Sequence, residues 1–173
     1  YFGGGTPGLW NPECLKSLLD ECRCAFRFKE NIEITIEANP AEITLPLLQA
    51  WSNCGINRLS LGVQSMRTNT LKRLGRNHTP EQVEQVVSWL KLTGIRQFSV
   101  DLIHGLAGEG IKEALEDLEA VLKLSPQHIS LYQLTIEEKT SFGLRANRGE
   151  TLLEPDEKLI QIYRALSERL EQS

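Results

Sequence analysis

Residues 1–7 read Tyr-Phe-Gly-Gly-Gly-Thr-Pro, and the rest of the chain is organised around this stretch. Two aromatic residues form the tail of a strand. Three glycines then remove every Cβ, so a bound molecule can touch bare backbone until Pro7 ends that freedom. Such a loop offers N–H and C=O groups to a small charged ligand at the C-terminal edge of a sheet. Glycines after a strand also serve any tight strand-to-helix turn, so the loop needs support from elsewhere in the chain. Gly3, Gly5 and Gly8 meet the spacing G-x-G-x-x-G of a dinucleotide fingerprint. However, the next helix starts at Asn11-Pro12-Glu13, an N-cap followed by proline, and Glu37 comes too late to be the ribose-binding acid. No lysine follows the glycines, which excludes a phosphate-binding P-loop.

Outward from the loop, strand and helix patterns alternate. Pro12 to about Ala25 predicts a helix with Leu15, Leu18, Leu19 and Cys22 as its buried stripe. Ile32 to Ala38 alternates as a strand and stops at Asn39-Pro40. Thr44 caps a helix carrying Leu47, Leu48, Trp51 and Cys54, closed by Gly55. Arg58 to Gln64 reads as a short strand with a polar end, followed by a basic, helix-like segment over 68–78 containing Lys72, Arg73 and Arg76. Thr79-Pro80-Glu81-Gln82 is the clearest helix start, with a core stripe of Val83, Val86, Val87 and Leu90 and Gly94 at its close. Phe98 to Leu102 reads as a strand buried on both sides. A helix marked by Ile111, Leu115, Leu118 and Leu122 follows, then a strand over Ile129 to Ile136. A loop from Glu138 to Glu154 leads to a final helix from about Asp156 to Leu170.

The pattern is βαβαβαβα, an α/β chain whose parallel strands are joined by right-handed helical crossovers. Polar residues gather where strands end: Thr6; Glu37 and Asn39; Gln64 and Ser65; Asp101 and His104; Gln133, Thr135 and Glu137. In a parallel barrel or open sheet these ends meet on one face and form the site. Asp101, in Phe-Ser-Val-Asp-Leu-Ile, would be an ionised group in a dry setting and calls for a cation or ligand as partner. Arg76 fits as that cation, or as the planar fork that binds a ligand carboxylate. His78 and His128 read as structural or solvated.

Composition narrows the class. With 173 residues, 40% of them hydrophobic, the chain fits one domain with a real core. A net charge of −4 and the lack of a basic cluster interleaved with aromatics argue against nucleic acid. No apolar run approaches a membrane span and nothing resembles a signal peptide, so the expectation is a soluble, cytoplasmic protein. Opening inside a strand-and-loop unit without Met, the chain reads as a piece of something longer. Cys14, Cys22, Cys24 and Cys54 give neither C-x-x-C nor paired pairs, and are expected to be buried small hydrophobes rather than metal ligands.

Five motifs in order resemble the radical S-adenosylmethionine (SAM) proteins related to oxygen-independent coproporphyrinogen III oxidase. They are Gly-Gly-Gly-Thr-Pro (3–7), Glu-Ala-Asn-Pro (37–40), Leu-Gly-Val-Gln-Ser (61–65), Leu-Gly-Arg-Asn-His (74–78) and Asp-Leu-Ile-His-Gly-Leu (101–106). Leu-Tyr-Gln-Leu-Thr-Ile-Glu (131–137) is closer to the haem-chaperone branch, HemW, than to the oxidase. The resemblance implies a partial (β/α)6 barrel over 1–173, truncated, with SAM across the strand ends beside a [4Fe-4S] cluster.

By the same resemblance, the backbone of Gly4, Gly5 and Thr6 would hold the methionyl amine. Glu37 and Gln64 would meet ribose hydroxyls or neighbouring polar groups, Arg76 a carboxylate, and Asp101 a polar group of SAM or of a second SAM. Relatives ligate the cluster through C-x-x-x-C-x-x-C in the loop after the first strand, which would lie before Tyr1. No cysteine here has that spacing, so this stretch alone is expected to be inactive, with no catalytic or metal-ligating residue of its own. Ala107 stands where relatives carry proline, and Glu138-Lys139 where they carry Pro-Asn; the domain that would cover the pocket is expected beyond Ser173. Three functions follow: a haem chaperone binding haem or porphyrin and passing it to an acceptor protein, with His104 as the candidate haem ligand; the oxidase itself; or a scaffold without a cluster.

Overall fold

Strand and helix alternate along residues 1–173, all of which the computed structural model describes. The chain divides into two units, residues 1–101 with 124–130 and residues 102–123 with 131–173. The helices are α1 (Pro12–Ala25), α2 (Leu45–Cys54), α3 (Thr68–Arg73), α4 (Pro80–Leu90), α5 (Ile111–Leu122), α6 (Ser141–Asn147) and α7 (Asp156–Leu170). The strands are β1 (Thr35–Ala38), β2 (Arg58–Gln64), β3 (Gln97–His104) and β4 (His128–Gln133). They form one parallel sheet in the order β1-β2-β3-β4, with Thr35 opposite Arg58 and Ala38 opposite Leu61. This is the expected α/β class. The strand tail at Tyr1-Phe2 is a single parallel bridge: the Phe2 N–H donates to Thr35 O at 2.8 Å, and the Glu37 N–H donates to Phe2 O at 3.0 Å.

In the first unit the alternation of β2 sorts the layers. Leu59, Leu61 and Val63 are fully buried, while Ser60, Gly62 and Gln64 share the opposite face. Leu15 and Leu19 of α1, Leu48 and Trp51 of α2, and Val83, Val86 and Leu90 of α4 supply the buried helix surfaces. The Thr44 hydroxyl accepts the Leu47 N–H at the start of α2, and Gly55, at φ +104°, ends it. Thr79 and Gln82 form a reciprocal capping box at α4.

In the second unit Leu118 and Val121 of α5 and Leu159, Ile162 and Leu166 of α7 are buried, and the Arg169 guanidinium pairs with the Glu119 carboxylate. Leu106 bridges Leu153 in antiparallel fashion. The nearly buried Glu154 accepts the Gly108 N–H at 2.6 Å and pairs with Lys158 at 3.1 Å.

Several expectations are corrected. Helix α4 ends at Leu90, and Gly94 lies beyond it, donating its N–H to Ser52 Oγ at 3.0 Å. The basic segment is helical only over Thr68–Arg73, because Gly75 turns the chain at φ +68°. Strand β1 begins at Thr35, leaving Ile32 half-buried outside it, and β4 stops at Gln133. The expected loop 138–154 contains α6. Of the cysteines only Cys54 is buried, its Sγ 3.3 Å from Pro12 O; Cys14 and Cys24 are exposed, Cys22 is half-buried, and Leu18 faces solvent at 43% exposure. The stripe of α1 is therefore narrower than its spacing suggests.

Candidate functional site

A cavity of about 230 Å³ opens in the first unit against the ends of β1 and β2 and Asp101, three residues before the end of β3. Gly5, Thr6, Glu37, Gln64, Arg76 and Asp101 all line it, together with Pro7, Ala38, Asn39, Ser60 and Gly62. Six of the seven residues singled out in the sequence thus meet in one place. Gly4 does not line the cavity; its N–H donates to Glu37 Oε2 at 3.1 Å. The other oxygen, Oε1, accepts the Tyr1 hydroxyl at 2.8 Å. Glu37 therefore clamps the glycine loop from β1.

The glycines are shaped for this. A Cβ on Gly3 would lie 2.8 Å from Glu37 Oε1, and one on Gly8 would lie 2.9 Å from the Ala38 Cβ. Gly4 and Gly5 take φ +81° and +63° with nothing within 4 Å of a Cβ position, so their backbone is open to a ligand.

Below the loop, one face of the sheet is polar. The Ser99 hydroxyl donates to Ser60 Oγ at 3.0 Å, and the Ser130 hydroxyl reaches the Asp101 carboxylate. Asp101 is half-buried, and burial pushes its pKa above the ordinary carboxylate value. The Ser130 hydrogen bond opposes that rise, and the nearby charge of Glu37 adds to it. Arg76 is the one cation among the lining residues, and partial desolvation pulls its guanidinium pKa down. At the end of β2, Gln64 stands at φ +68°, a conformation that a non-glycine residue rarely adopts. The cavity thus offers two carboxylates, one guanidinium, the carboxamides of Asn39 and Gln64, the hydroxyls of Thr6 and Ser60, and bare backbone.

His78 is buried, and its Nε2 lies 2.9 Å from Val63 O; its lowered pKa, from burial first, keeps the ring neutral. It is structural, as expected, and the exposed His128 is the solvated one. His104, the candidate haem ligand, belongs to the second unit. It shares strand parity with Phe98, Val100 and Leu102 rather than with Asp101, is 6% exposed, and is absent from the cavity lining. Gln133, Thr135 and Glu137 are exposed residues of the second unit and do not line it either.

Ser60 and Gly62 join the lining without being among the expected ligand-binding residues. Their signal is the period of two in Ser60-Leu61-Gly62-Val63-Gln64, which puts a small or polar residue at every second position leading to Gln64.

The sequence pattern of the radical SAM superfamily matches residues 1–121. The chain belongs to the radical SAM superfamily. This radical SAM chain is 43% identical over 145 residues to a protein named heme chaperone HemW from Haemophilus influenzae, covering 84% of this chain and 38% of that relative. It is 41% identical to the Escherichia coli HemW over the same shares. The solved structure of coproporphyrinogen III oxidase (HemN) from Escherichia coli, a radical SAM enzyme, superposes with a TM-score of 0.82 at 28% identity, covering 98% of this chain and 39% of that one. The chain thus spans about two fifths of the length of these relatives.

Radical SAM membership implies SAM and a [4Fe-4S] cluster. The cavity fits SAM in the chemistry of its donors. The cluster does not fit these 173 residues: no group of three or more His, Cys, Asp or Glu converges anywhere in the chain. No helix is long and apolar enough to cross a membrane.

Proposed function

We propose that this chain is the SAM-binding core of a HemW-like haem chaperone. The single observation that carries the SAM assignment is the charge pattern of the cavity, two carboxylates against one guanidinium. SAM carries an ammonium, a sulfonium and a carboxylate, so a site of opposite pattern complements it, whereas a polyanionic nucleotide would be repelled. In this reading Arg76 takes the methionyl carboxylate, and the open backbone of Gly5, with Thr6 beside it, faces the ammonium. Gln64 meets a ribose hydroxyl or a neighbouring polar group, Asp101 lies towards a cationic or hydroxyl group, and Glu37 holds the loop.

The haem-chaperone assignment is supported by 41–43% identity to two HemW proteins against 28% to HemN. The partners are then haem or another porphyrin, and an apo-protein acceptor. The oxidase reading rests on the TM-score of 0.82 to HemN. The test is an anaerobic assay of the full-length protein reconstituted with iron and sulfide. Haem uptake followed by visible spectroscopy, with coproporphyrinogen III left unconsumed, is the expected result; turnover of coproporphyrinogen III overturns it.

A further inference from the structure

Val63, Gln64 and Ser65 form a three-residue reversal at the end of β2. The Ser65 N–H donates to Val63 O at 2.8 Å, an i to i+2 bond, and Gln64 between them stands at φ +68°. This combination is the γ-turn of positive φ, rare and strained for a side-chain-bearing residue. Strain of that kind persists only when the surroundings over-determine it.

The structure shows one such constraint. Val63 O lies 2.9 Å from the His78 imidazole, 15 positions along the chain, as well as accepting from Ser65. A carbonyl only accepts, so Nε2 carries the proton and Nδ1 is left as a bare acceptor. That Nδ1 is buried with no hydrogen-bond partner. A phenyl ring would pack in the same space without an unpaired nitrogen, so packing alone does not account for an imidazole at 78. Its distinguishing feature is the N–H held against Val63 O. The turn it braces carries Gln64 into the cavity lining, and Gly62 leaves room for the carboxamide: a Cβ there would lie 3.0 Å from Gln64 Nε2.

We propose that His78 is a positioning residue for the cofactor pocket, holding the strained turn at Gln64 through the Val63 carbonyl and so aiming the Gln64 carboxamide at the bound ligand. The ligand identity rests on the SAM reading above; the bracing does not. Two measurements on the full-length protein separate them.

In the first, SAM binding is followed by calorimetry. Gln64→Ala and His78→Phe should each weaken it about tenfold, the scale of one well-formed hydrogen bond. The double variant should be no weaker than Gln64→Ala, because residues acting as one unit are not additive. His78→Gln, which restores an N–H donor, should bind close to wild type even if His78→Phe proves too unstable to purify. Multiplied losses in the double variant, an unchanged affinity of His78→Phe, or a tenfold loss in His78→Gln overturns the proposal.

The second needs no ligand. Gln64→Gly should raise the urea midpoint, because glycine occupies φ +68° without strain. In the His78→Phe background the same change should give no gain, the turn having already relaxed. A full gain in both backgrounds overturns the proposal whatever the pocket binds. Wild-type protein that binds no SAM, with the midpoint pattern intact, removes the SAM reading and leaves the bracing standing.

Discussion

Glu37 is committed within its own unit before any ligand arrives. With one oxygen on the Tyr1 hydroxyl and the other on the Gly4 N–H, it shapes the loop that presents Gly5 and Thr6. Gln64 is different, since its aim depends on space left by a neighbour. Gly62→Ala would bring a Cβ to 3.0 Å from Gln64 Nε2, the end of a flexible side chain, with the next atom, Ala38 O, at 3.9 Å. The expected outcome is a displaced carboxamide: SAM affinity falls about tenfold, while Tm barely moves. Equal binding by Gly62→Ala and wild type, measured by calorimetry, would remove Gln64 from the ligand contacts. At Asp101 the raised pKa means that the folded protein holds its proton where the unfolded chain has released it. Stability therefore falls as pH rises through the window from the ordinary value of 3.8 up to the raised one, and the ionised form remains a burden at neutral pH. Asp101→Asn should raise Tm by about 2 °C at pH 7 and flatten that acid limb, while weakening the ligand. A Tm lowered at neutral pH would show that the charge stabilises the fold instead.

Among the elements, those with strong local signals were legible. The capping box at Thr79, the Asn11-Pro12 start and the alternation of β2 are written in adjacent residues, and the helices and strand there fall within a few positions of their expected bounds. Helix α6 was not legible, because Ser-Phe-Gly-Leu-Arg-Ala-Asn is short and carries a poor helix former, Gly143, in its first turn. Tertiary contact explains that glycine: a Cβ on Gly143 would lie 2.3 Å from Glu137 O and 2.4 Å from Glu138 O. Those are backbone atoms and cannot swing away. Gly143→Ala should cost about 1–3 kcal/mol in urea unfolding; an unchanged midpoint would mean that the 137–143 segment packs less tightly than this. The exposed Leu18 and half-buried Cys22 teach a related lesson, since spacing marks which residues share a helix face but not how much of that face finds a partner.

For the whole molecule, acid stability follows from two imidazoles. His78 in the first unit and His104 in the second are buried, and burial lowers both folded pKa values below the ordinary 6.5. The unfolded chain then takes up protons that the folded chain refuses. Stability from this source is complete above about pH 6.5 and is lost as pH falls towards the lowered values. The urea midpoint should accordingly be lower at about pH 5.5 than at about pH 7.5, with the drop reduced in His104→Leu; equal midpoints would mean that both rings already accept protons when folded. The α/β alternation, the superfamily and the rim of Gly5, Thr6, Glu37, Gln64, Arg76 and Asp101 can be read from the residues alone, since periodicity, caps and short motifs are local chemistry. The clamp of Glu37 on the loop, the burial of His104 and the left-handed turn at Gln64 emerge only in the folded chain. Those facts depend on atoms brought together across the chain, 36 positions for Tyr1 and Glu37 and 15 for Val63 and His78, and no local pattern encodes such meetings.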